Sequence, residues 1–263
     1  MIDTHLHVWD TEVVRIPWLA AAGLPPMAAI PDGQDRRYVL VEADAHDPAE
    51  EANWLIALAE RDPRVHGVVA SVALELPRAE RALANLAEVP QVVGVRRLLQ
   101  DQELFDSTSL VDGLKRLAGW GLPFDACVRD HELPRLLALL ERVPELTVVL
   151  DHMGKPNPRD GVARDAWQRN LARLAELDRV HCKLSGLPAE CHGIDELERH
   201  APDMIDLALE TFGAERCLVG SDSPVSQDPE DWCERVLAQV PAEKRQAVAE
   251  DNALNIYHRR DTG

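Results

Sequence analysis

Short apolar runs alternate with longer stretches of mixed character along the chain. The runs are Ile2–Val8, Tyr38–Ala43, His66–Ala73, Val92–Arg96, Pro123–Val128, Leu146–His152, Val180–Ser185 and Cys217–Asp222. Several are nearly continuous in Val, Leu and Ile. Strands of a parallel sheet show this pattern because crossover helices bury both of their faces. Between the runs, apolar residues recur at helical spacing. Ala49–Arg61, Ala79–Ala87, Leu110–Gly119, His131–Arg142, Ala163–Leu177 and Met204–Phe212 read as amphipathic helices. Pro90, Gly121, Pro144 and Gly213 punctuate the strand entrances.

Strands alternating with helices predict an α/β fold with a parallel sheet, and eight such units predict a (β/α)8 TIM barrel. The 263 residues match the roughly 250 of one barrel, so a single domain over residues 1–263 is expected. An open doubly wound sheet is the alternative, but no strand is followed by a G-x-G-x-x-G or P-loop pattern. The first crossover departs from the rule. Pro17, Pro25, Pro26 and Pro31 fall between Val8 and Tyr38, with no helical pattern. The first helix is therefore expected to be missing or replaced by a Pro-rich loop.

Charge narrows the function classes. The chain carries 28 Lys and Arg against 46 Asp and Glu, a formal net charge of −18. Such a surface repels phosphate backbones and anionic lipid, so no nucleic-acid or membrane partner is expected. No apolar run approaches the ~20 residues that cross a bilayer, and no signal-peptide pattern opens the chain. The five cysteines include no C-x-x-C pair. Cys127, Cys182 and Cys217 lie in apolar runs and read as buried free thiols, which fits a reducing, cytoplasmic setting. A monomer and a homo-oligomer are equally compatible with the pattern.

In a parallel barrel, reactive groups project from the C-terminal strand ends. The first run ends in His5-Leu6-His7, and residues two apart on a strand face one side. His5 and His7 then point into the mouth and can bind a cation or donate to a carbonyl. The sixth run delivers Asp151 and His152 to the same rim, with Asp151 either orienting that imidazole or capping the loop. The eighth ends in Ser221-Asp222-Ser223-Pro224. A carboxylate there needs a partner, and Asp222 is the preferred general base, with helix capping as its structural alternative. Arg96, Lys183, Asp125, Glu42 and Trp9 are further candidates for contacting substrate. Buried ion pairs among the charged ones are the competing reading. His46, His66, His131, His181, His192, His200 and His258 read as structural or solvated.

The ordered set resembles the amidohydrolase superfamily, in its amidohydrolase-2 branch of small lactone hydrolases. The resemblance rests on Ile2-Asp3-Thr4-His5-Leu6-His7-Val8-Trp9-Asp10, Pro17-Trp18-Leu19, Gly94-Val95-Arg96 and Leu150-Asp151-His152-Met153-Gly154-Lys155-Pro156. It continues through Cys182-Lys183-Leu184-Ser185-Gly186-Leu187, Gly220-Ser221-Asp222-Ser223-Pro224-Val225, Asn252-Ala253 and Tyr257. It implies hydrolysis of a sugar-acid lactone or a lactone from aromatic-acid breakdown. In that reading Asp222 activates water, and His5, His7 and His152 surround the substrate carbonyl. The chain departs from the metal-dependent pattern, with Asp125 and Cys127 where the fifth strand usually carries histidine. Ser223 also replaces the Trp of a Gly-Ser-Asp-Trp-Pro pattern. The resemblance thus implies either no required cofactor or one divalent cation, zinc first, held by His5, His7, His152 and Asp222. Two other readings stay open: a metal-dependent decarboxylase of an aromatic or muconate-type acid, and a non-catalytic ligand-binding barrel.

Overall fold

The computed structural model describes residues 1–32, 35–226, 228 and 231–259. Eight parallel strands form one sheet in chain order. They are β1 (Ile2–Leu6), β2 (Arg37–Val41), β3 (Val65–Ser71), β4 (Val92–Arg96), β5 (Phe124–Ala126), β6 (Val148–Leu150), β7 (Val180–Leu184) and β8 (Cys217–Val219). The segment after β8 returns to β1. Leu6 bridges Ser223 in parallel, the Asp222 N–H donates to the His5 carbonyl at 2.7 Å, and the His7 N–H donates to the Ser223 carbonyl at 2.9 Å. The fold is a (β/α)8 barrel whose first and last strands are zipped at the C-terminal rim.

Helices cover the outside: α1 (Pro48–Arg61), α2 (Ala79–Ala87), α3 (Thr108–Gly119), α4 (Leu133–Leu140), α5 (Gly161–Ala175), α6 (Ile194–Phe212) and α7 (Trp232–Gln239). Asp47, Ser107 and Asp160 cap α1, α3 and α5 by accepting first-turn N–H groups. Two differences from the sequence pattern have physical causes. The helix expected at Met204 starts instead at Ile194 and runs through Pro202. That proline stands on the solvent face, where water can satisfy the carbonyl it leaves unbonded, while Leu197, Ala201 and Ile205 bury the opposite face. Helix α7, absent from the sequence expectation, is short and is fixed by burying Trp232, Cys233 and Val236.

Between β1 and β2 no helix stands among the described residues; residues 33 and 34 of this crossover lie outside them. The loop folds back instead, with Trp9–Asp10 pairing antiparallel to Met27–Ala28. Trp9, Val14, Ile16 and Leu19 pack against Ala43 and Ala45. The lower barrel interior is apolar. Ile2, Val39, Val41, Val69, Val93, Val149 and Leu218 meet there, and Ala253, Ile256 and Tyr257 plug the opening. No helix among the described residues is long and apolar enough to cross a membrane.

Candidate active site

Strict alternation would turn Ile2 and His5, three residues apart, to opposite faces of β1. A register shift between Asp3 and Leu6 changes the phase. Ile2 therefore joins the barrel floor, His5 enters the mouth, and Leu6 packs outward with Tyr38, Leu40 and Leu55. The zipper between β1 and β8 then sets Asp222 beside both histidines. Gly220 gives this approach its room: a Cβ there would lie 2.8 Å from His5 Cβ. Gly186 does the same for His152, whose Nδ1 would stand 2.4 Å from an added Cβ.

The polar ends converge. Asp222 Oδ1 lies 3.4 Å from His7 Nε2, 3.6 Å from His5 Nε2 and 3.9 Å from His152 Nε2. The two Nε2 atoms of His5 and His7 are 3.2 Å apart. Asp222 Oδ2 accepts from the Ser226 hydroxyl at 2.8 Å. All four side chains are buried. The structure thus brings together the four residues singled out by sequence.

Beneath His5 lies a layer of buried charge. Lys183 Nζ sits 2.7 Å from Asp125 Oδ2, 2.9 Å from Asp151 Oδ1 and 3.2 Å from His5 Nδ1. Tyr257 donates its hydroxyl to Asp125 from the barrel floor. Arg96 is bonded through Nε to the Glu42 carboxylate and through Nη2 to the Glu42 carbonyl at 2.5 Å. Its Nη1 is 3.5 Å from Asp151 Oδ2. Asp151 is held by charge rather than by aligned hydrogen bonds, since neither oxygen has a hydrogen-bond partner. It orients neither His152 nor a loop, but sits against His5.

Burial governs the protonation states. It pushes His5 well below the usual imidazole range despite Asp151, and brings His152 down to about 4 despite Asp222 and Asp151. Burial pushes Asp125 up to about 6 and would neutralise Lys183, but Asp125 and Asp151 hold that ammonium charged. Burial also opposes ionisation of Asp222, yet the electrostatics of the facing His152, His7 and His5 rings hold it far below the carboxylate range.

The donor set fits a small divalent cation. His7 Nδ1 faces the Val41 carbonyl at 2.9 Å. A carbonyl only accepts, so Nδ1 carries the hydrogen and Nε2 presents a bare lone pair. His5 has a partner for either tautomer: Lys183 donates to a bare Nδ1, or Nδ1–H points at Asp151 Oδ1 3.3 Å away. In the second case two lone pairs and one carboxylate oxygen converge with separations of 3.2–3.6 Å. Tetrahedral zinc with ligands at 2.0–2.1 Å has edges of roughly 3.3 Å. His5, His7 and Asp222 form one potential ligand group, and His5, Asp151 and His152 another. Among the described residues, the four buried carboxylates of this cluster (Glu42, Asp125, Asp151, Asp222) outnumber its two buried cations, Arg96 and Lys183, an imbalance that suits a divalent cation.

A cavity of about 340 Å³ opens above this cluster, lined by His7, Arg96, His152 and Asp222 together with Trp18, Asp44, Gln100, Cys127, Lys155 and Glu190. A larger groove of about 470 Å³ beside Arg36 and Asp231 lies outside the barrel and does not reach the histidines. Lining the cavity separates the remaining candidates. Arg96 reaches it. Lys183, Asp125 and Glu42 do not; they form the buried support beneath. Trp9 is fully buried, donates to the Pro25 carbonyl at 2.9 Å, and is corrected to a packing residue. Trp18 lines the cavity in its place, donating to the Ala43 carbonyl at 2.8 Å. Asp44, Gln100, Lys155 and Glu190 line the cavity as well and are not among the candidates read from the sequence. Lys155 and Trp18 carried a signal, because both stand in segments that bear the family resemblance.

Comparison with known proteins agrees with this architecture. The amidohydrolase family profile matches residues 2–259. An L-fucono-1,5-lactonase of Burkholderia ambifaria is 34% identical, covering 97% of this chain and 94% of its own. An L-fucono-1,5-lactonase of Burkholderia multivorans is 30% identical, covering 96% and 92%. A solved amidohydrolase from Burkholderia multivorans, crystallised with bound zinc, superposes with a TM-score of 0.86 at 27% identity, covering 98% of this chain and 99% of its own. A (β/α)8 barrel that gathers His5, His7, His152 and Asp222 at one rim, and that matches the family over almost its full length, belongs to the amidohydrolase family.

Proposed function

We propose that the protein hydrolyses a lactone, a cyclic ester of a hydroxylated sugar-type acid, at the rim cluster. The observation that carries this is Asp222: a buried carboxylate at the end of β8, with one oxygen facing three imidazoles and an open cavity. The two L-fucono-1,5-lactonases support the substrate class.

In this reading a water molecule attacks the ring carbonyl and Asp222 Oδ1 takes its proton. Ser226 fixes the other oxygen, so the accepting lone pair stays aimed at the cavity. His152 keeps its proton on Nε2 when the Ser185 hydroxyl, 2.9 Å from Nδ1, donates to it. That Nε2–H and Arg96 stabilise the developing oxyanion. Protonated Asp222 returns its proton to the departing ring oxygen. The neighbouring imidazoles keep Asp222 ionised, which leaves Oδ1 unprotonated and able to accept. His5, His7 and Asp222, with His152 beside them, would hold a divalent cation, zinc first. When bound, it supplies carbonyl polarisation and a lowered water pKa.

Asp222→Asn tests the reading. Acid release from L-fucono-1,5-lactone should fall about 10³–10⁴-fold, and full activity in that variant would remove the proposal. The same assay separates the decarboxylase reading, which demands CO₂ from an aromatic acid rather than acid from a lactone. Tight binding without turnover would instead favour the non-catalytic barrel.

A further inference from the structure

Backbone strain is concentrated where chemistry is expected, and it marks two residues that the mechanism does not use. Among the described residues, seven non-glycines adopt positive φ: Asp44, Asp101, His152, Met153, Lys155, Asp222 and Asp231. Such conformations cost free energy in side chains with a Cβ and persist where the surroundings demand them. Four of the seven line the 340 Å³ cavity: Asp44, His152, Lys155 and Asp222. His152 and Asp222 are already explained. Asp44, at φ 53°, and Lys155, at φ 49°, are not.

Their positions are complementary. Asp44 follows β2 and Lys155 follows β6, strands on opposite sides of the eight-membered ring. The two side chains therefore reach the cavity from opposite walls, with the histidines and Asp222 between them. Asp44 is exposed, and its carboxylate has no hydrogen-bond or ion-pair partner among the described residues. Its backbone N–H is bonded to Glu42 at 2.8 Å, which fixes the turn. Lys155 is half-buried and donates to Gln100 Oε1 at 2.5 Å, so one ammonium donor is anchored and two remain. One wall thus offers a pure acceptor and the other a pure donor.

We propose that Asp44 and Lys155 are the specificity-determining pair of this site, reading ring hydroxyls at opposite edges of the bound lactone. The inference rests on the lactonase reading. A hydroxyl both donates and accepts, so it satisfies either residue, whereas a carboxylated lactone would meet Asp44, Glu190 and Asp222 across the same cavity. Against these three carboxylates the cavity sets two cations, Lys155 and Arg96, and Arg96 is already paired with Glu42. Trp18, Leu98 and Val225 add apolar lining, suited to the C–H face of a sugar ring.

The test compares kcat/KM for L-fucono-1,5-lactone with that for δ-valerolactone, the same ring without hydroxyls. The wild-type ratio should be large, since a site built to bond hydroxyls rejects analogues that lack them. Asp44→Ala and Lys155→Met should each reduce that ratio about tenfold to a hundredfold. Asp44→Asn should retain more of it than Asp44→Ala, because the amide still offers an acceptor. A wild-type ratio near one, or a ratio unchanged in both variants, would overturn the pair's role. Wild-type protein that opens neither lactone would instead overturn the lactonase reading itself.

Discussion

Leu218 and Asp222 stand four residues apart on one segment of the barrel, both buried, and do opposite work. Leu218 meets six other strand residues from around the barrel and the C-terminal plug in a floor whose side chains are apolar but for the Tyr257 hydroxyl. Asp222 sits at the rim among imidazoles, with its backbone in the left-handed region and its proton affinity set by buried charge. The floor holds side chains that only need to exclude water. Around the mouth lie two buried cations (Arg96, Lys183), four buried carboxylates (Glu42, Asp125, Asp151, Asp222) and strained turns. One end of the barrel supplies stability and the other consumes part of it for chemistry.

The comparison is broken hardest at Asp222. Asp222→Asn should lose about 10³–10⁴ in kcat/KM on a lactone without lowering the denaturation midpoint, measured by steady-state kinetics and thermal melting on the same preparation. His152→Ala comes next, with an expected loss of about 10²–10³ in kcat if its Nε2–H stabilises the oxyanion. Leu218→Ala should show the mirror image. It should cost about 2–5 kcal/mol of stability in denaturant unfolding while the folded fraction keeps its kcat. A large kcat loss in that variant would mean the floor also positions the mouth.

The smallest expected effect lies in the wall behind β2. Glu51 accepts from the Ala43 N–H at 2.6 Å, and its other oxygen is buried without a partner. Burial, reinforced by Glu42, pushes its pKa from 4.5 to about 8. A raised folded-state pKa contributes stability that is complete below the unfolded value and is lost as pH rises through the folded one. The wild type should therefore lose this contribution between about pH 4.5 and 8. Glu51→Gln lacks that slope, so its melting temperature relative to wild type should climb across the window. A constant difference would show that Glu51 ionises normally.

The same contrast explains what the sequence disclosed. The floor and the strands were legible because buried parallel strands write their burial as continuous Val, Leu and Ile. His5, His7, His152 and Asp222 were legible because polar residues at the ends of such runs have few structural reasons to be there. The support beneath His5 was not. Lys183 and Asp125 look like substrate anchors from their strand-end positions, and only the side-chain depth shows that they pair with each other. Trp9 and Trp18 were indistinguishable as indoles in one loop, and the antiparallel fold-back decides which is buried. Asp44 and Lys155 escaped notice because left-handed backbone is written in sequence only when glycine adopts it.

The central claim is that the mouth opens a lactone ring with solvent water. The most direct measurement is turnover of L-fucono-1,5-lactone in ¹⁸O-enriched water, with and without chelator, against the uncatalysed rate. The account expects one equivalent of acid per lactone, faster than the background, with one solvent oxygen in the product carboxylate. Lactone consumption no faster than background in both arms, even after supplying zinc, would contradict it.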